Sequence, residues 1–143
     1  MGRLLKLNLS NEYLKNYFQK FSTLIIDENI NKKILELAKK IKKINKNKVI
    51  ILGNGGSAAM ASHVSVDLTK TSGIRSINFN ESDLLTCFSN DFGYEKWVEK
   101  AIEYYGDEGD VLILISSGGN SQNMLNAATF AKKKKLSKII TFT

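Results

Sequence analysis

The chain has 143 residues, of which 43% are hydrophobic and 24% charged, and its formal net charge is +7. This length suits one domain with its own core, and the composition is far from that of disordered chains. The longest apolar runs suit buried strands and are too short to span a membrane. The single cysteine, Cys87, excludes an internal disulfide and is expected to be a small buried hydrophobe. We therefore expect one cytoplasmic domain over residues 1–143 with no membrane partner.

The positive charge raises the question of a nucleic-acid partner. Most of the lysines lie at 32–48 and at 132–135. In the first stretch, isoleucine, leucine and alanine recur at helical spacing and the lysines occupy the other faces, which is typical of a solvated helix. No aromatic residues alternate with these lysines and no nucleic-acid motif occurs, so we predict no nucleic-acid partner.

The first 47 residues predict a helical extension. Residues 1–6 are expected to form a loose or partner-docked tail, and the apolar positions from Leu14 to Ile25 then recur at helical spacing. A second helix begins after Asp27 or Asn29, either of which can cap it. Because both helices are rich in apolar residues, we expect part of their surface to pack against another subunit.

From Lys48 onward, short apolar runs alternate with helical patterns, and we assign residues 48–143 to an α/β core. The runs predict four strands, at 49–52, 74–79, 111–115 and 138–142. The segments between them predict helices at 57–70, 83–89, 94–105 and 122–134. Strands separated by helices are typical of a parallel sheet covered on both faces. The predicted fold class is thus an α/β/α sandwich, flavodoxin-like or Rossmann-like, preceded by a helical pair.

Two turns rich in glycine and serine each follow an apolar strand and precede a helix. The first turn is Gly53-Asn54-Gly55-Gly56-Ser57, and the second turn is Ser116-Ser117-Gly118-Gly119-Asn120-Ser121. Glycines let a ligand approach the backbone closely, and the next helix offers unpaired amides and a partial positive charge. Serine hydroxyls add hydrogen-bond donors. Because turns at the carboxyl ends of parallel strands converge on one crevice, they predict a pocket for a phosphorylated small molecule.

Two other phosphate-binding motifs share part of this pattern. A Walker loop is excluded because no lysine follows either turn. Gly53, Gly55 and Ala58 match the spacing of a dinucleotide fingerprint, but the acidic residue that should end the next strand comes several residues late, at Glu81. An NAD-binding Rossmann domain therefore stays an alternative, in which the serines of the second turn have no role.

The combination of motifs resembles the sugar isomerase (SIS) domain family, and most of all its phosphoheptose isomerase branch. The motifs are, in order, the first turn, His63 and Asp67, the segment Asn90-Asp91-Phe92-Gly93-Tyr94, and the segment Gly109-Asp110-Val111 that leads into the second turn. The resemblance implies a parallel-sheet sandwich with an N-terminal helical extension. It also implies a homo-oligomer, usually a tetramer, that isomerises sedoheptulose 7-phosphate.

The resemblance further implies the roles of individual residues. It implies a phosphate site made by Ser116, Ser117 and Ser121, together with the backbone amides of the second turn at Gly119 and Asn120. The implied contacts with the sugar are Asn54, Gly55, Gly56, Ser57, Asn90 and Asp91. His63 and Asp67 match positions that bind metal in some members, and Asp67 stands where the family has its catalytic glutamate. No cofactor is required, and zinc is the metal we would expect at His63 and Asp67.

His63 and Asp67 are four residues apart and therefore share one face of the helix that follows the first turn. Aldose-ketose isomerisation needs a carboxylate that moves a proton between neighbouring carbons, and an acid/base group for the oxygens. Asp67 can be that carboxylate, and His63 can be the second group or a metal ligand. A local pair that only caps or orients the helix is the alternative.

Three features depart from the family pattern. Asp67 is one methylene shorter than the family's glutamate, and Gly118 stands where the family usually has a phosphate-binding serine. The chain stops at Thr143, where family members continue through a strand and a long helix with a catalytic histidine. We predict a phosphosugar isomerase of the phosphoheptose type, truncated or completed by neighbouring subunits in a dimer or tetramer. The alternative is a non-catalytic SIS domain that senses sugar phosphates or binds the bacterial replication initiator.

Overall fold

The structure is a computed structural model that describes residues 10–143. The predicted tail over residues 1–6 lies outside the described residues. The helices are α1 (Asn11–Ile25), α2 (Glu28–Lys42), α3 (Gly56–Lys70), α4 (Ser82–Phe92), α5 (Trp97–Tyr105) and α6 (Gln122–Lys133). The strands are β1 (Val49–Gly53), β2 (Ser76–Ile77), β3 (Val111–Ile115) and β4 (Lys138–Phe142). Over residues 10–143, no helix has both the length and the apolar character needed to cross a membrane.

Backbone contacts divide the chain into two units, Met1–Lys40 and Ile41–Thr143. In the first unit, the Ser10 hydroxyl caps α1 by accepting a hydrogen bond from the amide of Tyr13 at 3.1 Å. Asp27 rather than Asn29 caps α2, since its Oδ1 accepts from the amide of Ile30 at 2.9 Å. None of the α1 residues is buried, and its large apolar side chains stay exposed. The helical pair is therefore present, with the apolar surface that the sequence predicts.

The second unit is built on a parallel sheet with the strand order β2-β1-β3-β4. β1 and β3 are in register from Val49 beside Val111 to Gly53 beside Ile115. β4 continues the sheet beside β3 over five residue pairs. All five residues of β1 are buried, which requires that the sheet be covered on both faces. The predicted α/β fold with a parallel sheet is confirmed.

Helices provide the cover on both faces of the sheet. α3 packs against β1 and β2, where its small residues Ala61 and Ser65 are buried. α5 and α6 pack against each other, and Trp97 of α5 lies in one core cluster with Ile50 and Leu52 of β1. Because successive side chains of a strand point to opposite faces, α3 covers the face opposite to this cluster.

The second strand is shorter than the 74–79 that the sequence predicts. After Ile77, side-chain amides replace the backbone ladder: Asn78 Nδ2 donates to the carbonyl of Ile51 at 2.8 Å, and Asn80 Nδ2 to that of Gly53 at 2.9 Å. The amide of Gly53 also donates to Asn80 Oδ1 at 3.5 Å. Since these side chains satisfy β1, the backbone at 78–80 does not need to continue as a strand.

Two further predictions are wrong in detail. α5 begins at Trp97 rather than at Tyr94, because Gly93 opens a turn that the amide of Lys96 closes by donating to the Gly93 carbonyl at 3.0 Å. Cys87 is exposed rather than buried. It lies on α4, which packs on the core through the larger apolar side chains of Leu84, Leu85 and Phe88.

A buried carboxylate ties the amino-terminal ends of β1 and β3 together. Asp110 is fully buried, and its Oδ1 accepts from the backbone amide of Lys48 at 2.9 Å. Its Oδ2 accepts from the amide of Asp107 at 2.8 Å and lies 2.7 Å from the Lys48 ammonium nitrogen. Burial alone would raise the pKa of Asp110, but the hydrogen bonds from Lys48 and Asp107 outweigh it and hold this pKa below its ordinary value. This cluster lies at the edge of the sheet opposite to the two turns.

Candidate active site

The two turns lie side by side at the carboxyl edge of the sheet. β1 ends at Gly53 and β3 ends at Ile115, and these two residues are neighbours in register. Each turn leads directly into a helix, the first into α3 and the second into α6. The edge of the sheet therefore carries two adjacent helix N-termini, which is the geometry expected for a crevice that binds an anion.

The first turn is so tight that it requires glycine at two positions. A Cβ atom on Gly53 would lie 2.6 Å from the backbone carbonyl group of Ser57. Gly55 has φ 55° and ψ −123°, a conformation that L side chains rarely adopt. The carbonyl of Asn54 accepts from the amide of Ser57 at 3.0 Å, so α3 starts within the turn itself.

We expect Gly53→Ala to displace the first turn and to destabilise the protein. Overpacking against a rigid backbone costs about 1–3 kcal/mol, so the urea midpoint should fall by a corresponding amount. Gly56→Ala is the matched control for stability, because a Cβ there meets no atom within 4 Å. A Gly53→Ala protein as stable as the wild type would contradict this account of the turn.

The second turn gathers hydroxyls and open amides at the N-terminus of α6. The hydroxyl oxygens of Ser116 and Ser121 lie 3.2 Å apart. The amide of Gly119, where φ is 65°, donates back to the carbonyl of Ser116 at 3.0 Å and so closes the turn. Within the described part of the chain, the backbone amides of Ser117, Gly118 and Ser121 have no backbone acceptor. Such donors at a helix N-terminus are suited to a phosphate group.

The predicted sugar contacts Asn90 and Asp91 lie at the end of α4. Both are exposed, and Asn90 Nδ2 donates to Asp91 Oδ1 at 3.0 Å. Three residues further on, the hydroxyl of Tyr94 donates to Asn54 Oδ1 at 3.2 Å. The segment that carries Asn90 and Asp91 is therefore connected to the first turn through Tyr94.

Asn123 joins the two turns, although the sequence pattern does not predict this role. This residue of α6 is 2% exposed. Its Oδ1 accepts from Asn54 Nδ2 and its Nδ2 donates to Asn54 Oδ1, both at 2.9 Å. A signal does exist in the sequence, because Asn123 shares a buried face with Met124 and Ala127. A buried amide needs hydrogen-bond partners, so an asparagine on an apolar helix face just after a serine-rich turn indicates a polar partner elsewhere in the fold.

His63 and Asp67 lie on the solvent face of α3, apart from the turns. Their side chains are 79% and 56% exposed, and His63 Nε2 lies 3.5 Å from Asp67 Oδ2. With a rise of 1.5 Å per residue, Asp67 lies roughly 16 Å along the helix axis from Gly56. α3 runs back from the carboxyl edge, because β2 follows it and is parallel to β1. Within one chain, His63 and Asp67 therefore lie close to each other and the two turns lie close to each other, but the His63–Asp67 pair lies apart from the turns.

His63 and Asp67 provide only two ligands for a metal ion. Catalytic zinc is held by three protein ligands. Within residues 10–143, no group of three or more histidine, cysteine, aspartate or glutamate side chains could hold a metal ion. The described residues of a single chain thus do not fit a zinc site.

The sequence matches the SIS domain family over residues 12–143. The chain belongs to the SIS domain family. The phosphoheptose isomerase of Buchnera aphidicola subsp. Acyrthosiphon pisum is 38% identical over 141 residues, which cover 95% of this chain and 70% of the relative. The phosphoheptose isomerase 2 of Campylobacter jejuni is 36% identical over 140 residues, which cover 88% of this chain and 69% of the relative. The predicted resemblance to the phosphoheptose isomerase branch is confirmed.

Solved structures agree with the assignment of this SIS domain. The phosphoheptose isomerase from Neisseria gonorrhoeae has a TM-score of 0.75 at 27% identity, over 91% of this chain and 71% of that one. A phosphoheptose isomerase from Francisella tularensis has a TM-score of 0.79 at 23% identity, over 91% of this chain and 74% of that one, and shows the shared fold. Both likenesses favour the SIS fold over the NAD-binding alternative.

Proposed function

We propose that this SIS domain is an aldose-ketose isomerase of the phosphoheptose type, with sedoheptulose 7-phosphate as substrate. The observation that carries the proposal is the pair of adjacent turns at the carboxyl edge of the sheet, with the open amides and paired hydroxyls of the second turn. Relatives of 36% and 38% identity over most of the chain, named phosphoheptose isomerases, support it.

In this proposal the second turn binds the phosphate. The hydroxyls of Ser116, Ser117 and Ser121 donate to its oxygens, and the positive end of the α6 dipole favours its negative charge. The sugar then extends along the first turn towards Asp91. The amide of Gly119 already donates to Ser116 within the turn, so the amides that remain open belong to its neighbours.

The reaction moves one proton between two neighbouring carbons. Asp67 removes the proton from the carbon beside the carbonyl group, which leaves an enediol, and returns it to the former carbonyl carbon. His63 transfers the accompanying proton between the two substrate oxygens. The two side chains act on one substrate because they lie on one face of α3, 3.5 Å apart.

The site is completed between subunits of a homo-oligomer, a dimer or a tetramer. The separation of Asp67 from the turns within one chain supports this part of the proposal. Met60 and Val64 lie on the same face of α3 as His63 and Asp67, and they are 53% and 40% exposed. Apolar side chains left exposed around a polar pair are typical of a surface that another subunit covers.

The proposal includes no required cofactor and a cytoplasmic location. Proton transfer by a carboxylate needs no cofactor, and a zinc ion at His63 and Asp67 would need a further ligand from another subunit. Such an ion would polarise the substrate oxygens. We place the protein in the cytoplasm, because its single cysteine suits a reducing compartment.

The direct test is incubation with sedoheptulose 7-phosphate, followed by chromatography and a thermal-shift titration. We expect an isomeric heptose phosphate together with a rise in melting temperature that depends on substrate concentration. A rise without product would favour the non-catalytic sensor. A shift with NAD and none with any sugar phosphate would favour the dinucleotide-binding alternative.

Mixed oligomers test whether neighbouring subunits share a site. The Asp67→Asn chain keeps both turns intact, and the Ser117→Ala/Ser121→Ala chain keeps Asp67. Each variant alone should be nearly inactive, whereas equal co-expression should restore about a quarter of the wild-type rate, because a quarter of the shared sites then pair two intact halves. If mass spectrometry detects mixed oligomers but no activity returns, the shared site is refuted.

A further inference from the structure

We infer that Asn123 is a positioning residue, which holds the first turn in a fixed place relative to the second turn. The inference rests on the proposed function, because it treats the two turns as the two halves of the substrate pocket. Asn123 is 2% exposed and therefore has no surface of its own to offer a substrate. It acts through Asn54.

The Asn54 side chain is engaged at both of its polar ends. Its Oδ1 accepts from Asn123 Nδ2 at 2.9 Å and from the Tyr94 hydroxyl at 3.2 Å, which occupies both lone pairs. Its Nδ2 donates one hydrogen to Asn123 Oδ1 at 2.9 Å. One N–H of Asn54 is left for a ligand, and its direction is set by the reciprocal amide pair with Asn123.

Burial makes this amide pair rigid. Asn123 Oδ1 also accepts from the amide of Met124 at 3.1 Å, so both polar atoms of the Asn123 side chain are satisfied only in this orientation. An unpaired amide in a low-dielectric interior is costly, so alternative orientations of the pair are disfavoured. Asn123 lies two residues after the end of the second turn and bonds to Asn54 of the first, so the pair connects the phosphate-binding part of the pocket to the sugar-binding part.

The position of Asn54 also determines where α3 begins. Its carbonyl accepts from the amides of Ser57 and Ala58 at 3.0 and 3.4 Å. A shift of Asn54 would therefore move the amides of Gly55 to Ser57 away from the second turn. Misplacement of about 1 Å in a pocket costs on the order of a hundredfold in rate, so a modest loosening has a measurable effect.

The test compares Asn123→Ala with Asn126→Ala. Asn126 lies about one helical turn further along α6. Its Nδ2 donates to the carbonyl of Glu95 at 2.9 Å and its Oδ1 accepts from Gln122 Nε2 at 2.8 Å, so its described hydrogen bonds reach neither turn. We expect Asn123→Ala to lower kcat/KM for sedoheptulose 7-phosphate by at least tenfold, in an assay run well below the melting temperature of the variant. Asn126→Ala should leave kcat and KM unchanged, since it affects only stability. Equal kinetics for Asn123→Ala and the wild type would overturn the inference.

A double variant tests whether Asn123 acts through Asn54. In an Asn54→Ala background, Asn123→Ala should cause no further loss of kcat/KM, because the residue that transmits its effect is already gone. Additive losses would show an effect on catalysis that bypasses Asn54 and would refute the positioning role. If Asn123→Ala does not fold, Asn123→Asp serves instead. It keeps the shape of the side chain but places a carboxylate oxygen against Asn54 Oδ1, and the same non-additivity is expected.

Amide hydrogen exchange without ligand separates this inference from the proposed function. Exchange at Ser57 and Ala58, whose amides donate to the Asn54 carbonyl, should be faster in Asn123→Ala than in Asn126→Ala or the wild type. If wild-type protein shows no isomerase activity while this local difference is present, the proposed function fails, but the inference that Asn123 holds the first turn in place stands. If folded Asn123→Ala exchanges at these amides like the wild type, the inference about Asn123 is refuted, whatever the activity.

Discussion

Asp67→Asn should lower turnover of sedoheptulose 7-phosphate by about a thousandfold, in the middle of the range for loss of a general base, while substrate binding stays nearly unchanged. The amide has the same shape as the carboxylate but accepts no proton at neutral pH. Binding should persist because in the proposed function the second turn binds the phosphate, and Asp67 lies on α3 away from that turn. The measurements are kcat by a discontinuous chromatographic assay, and the dissociation constant by calorimetry.

The control for this variant is Asp83→Asn, which removes the same charge from an exposed position on α4. Its kcat should equal that of the wild type. Because Asp67 is 56% exposed, Asp67→Asn should also melt within a few degrees of the wild type, so inactivity is not a consequence of unfolding. Full activity of Asp67→Asn would remove Asp67 from the mechanism.

Asp110→Asn should destabilise the protein by about 3 kcal/mol at neutral pH, the low end of the range for breaking a buried ion pair. The substitution leaves Lys48, whose side chain is 12% exposed, without its buried partner. It also weakens the acceptor for the amide of Asp107. The measurement is the urea midpoint at constant protein concentration. Asp107→Asn is the matched control, because Asp107 is 76% exposed and its bond to Lys48 should contribute less than about 1 kcal/mol.

The same cluster predicts how stability depends on pH. The pKa of Asp110 is lowered in the folded protein, so its contribution is fully present above its ordinary value of 3.8 and is lost as the pH falls through the folded pKa. Burial alone would lower the pKa of Lys48, but the hydrogen bonds to Asp107 and Asp110 raise it above 10.5. Its contribution is therefore lost only as the pH rises through that raised pKa. In Asp110→Asn, the free energy of unfolding should depend less steeply on pH, both in the acid range and in the alkaline range. Unchanged slopes in these two ranges would contradict the assignment.

The apolar runs of the sequence predict most of the sheet. β1 and β3 are buried parallel strands, whose continuous apolar pattern has few alternatives at that length, and β4 pairs with β3 over five residues. The sequence predicts β2 to be too long, because Asn78 and Asn80 replace backbone hydrogen bonds with side-chain hydrogen bonds. Propensity and periodicity describe backbone preferences, and they carry no information about a side chain that reaches across to a neighbouring strand.

The candidate site is predicted from the sequence only in part. The two turns are recognisable because each combines glycine, serine and a following helix within a few residues. The link between them is not, because Asn54 and Asn123 are 69 residues apart and meet only once the sheet is assembled. The separation of Asp67 from the turns is likewise a property of the folded chain, set by the length and direction of α3.

The asparagines beside β1 have a consequence for the behaviour of the protein at high concentration. An edge strand with free carbonyl groups is a template to which another chain can add a strand, and this leads to aggregation. Here the carbonyls of Ile51 and Gly53 are already occupied by the amides of Asn78 and Asn80. An incoming strand would have to displace both side chains before it could pair. Beyond the end of β2, this side of β1 thus presents amide side chains in place of free carbonyl groups, which hinders the addition of a strand next to the crevice.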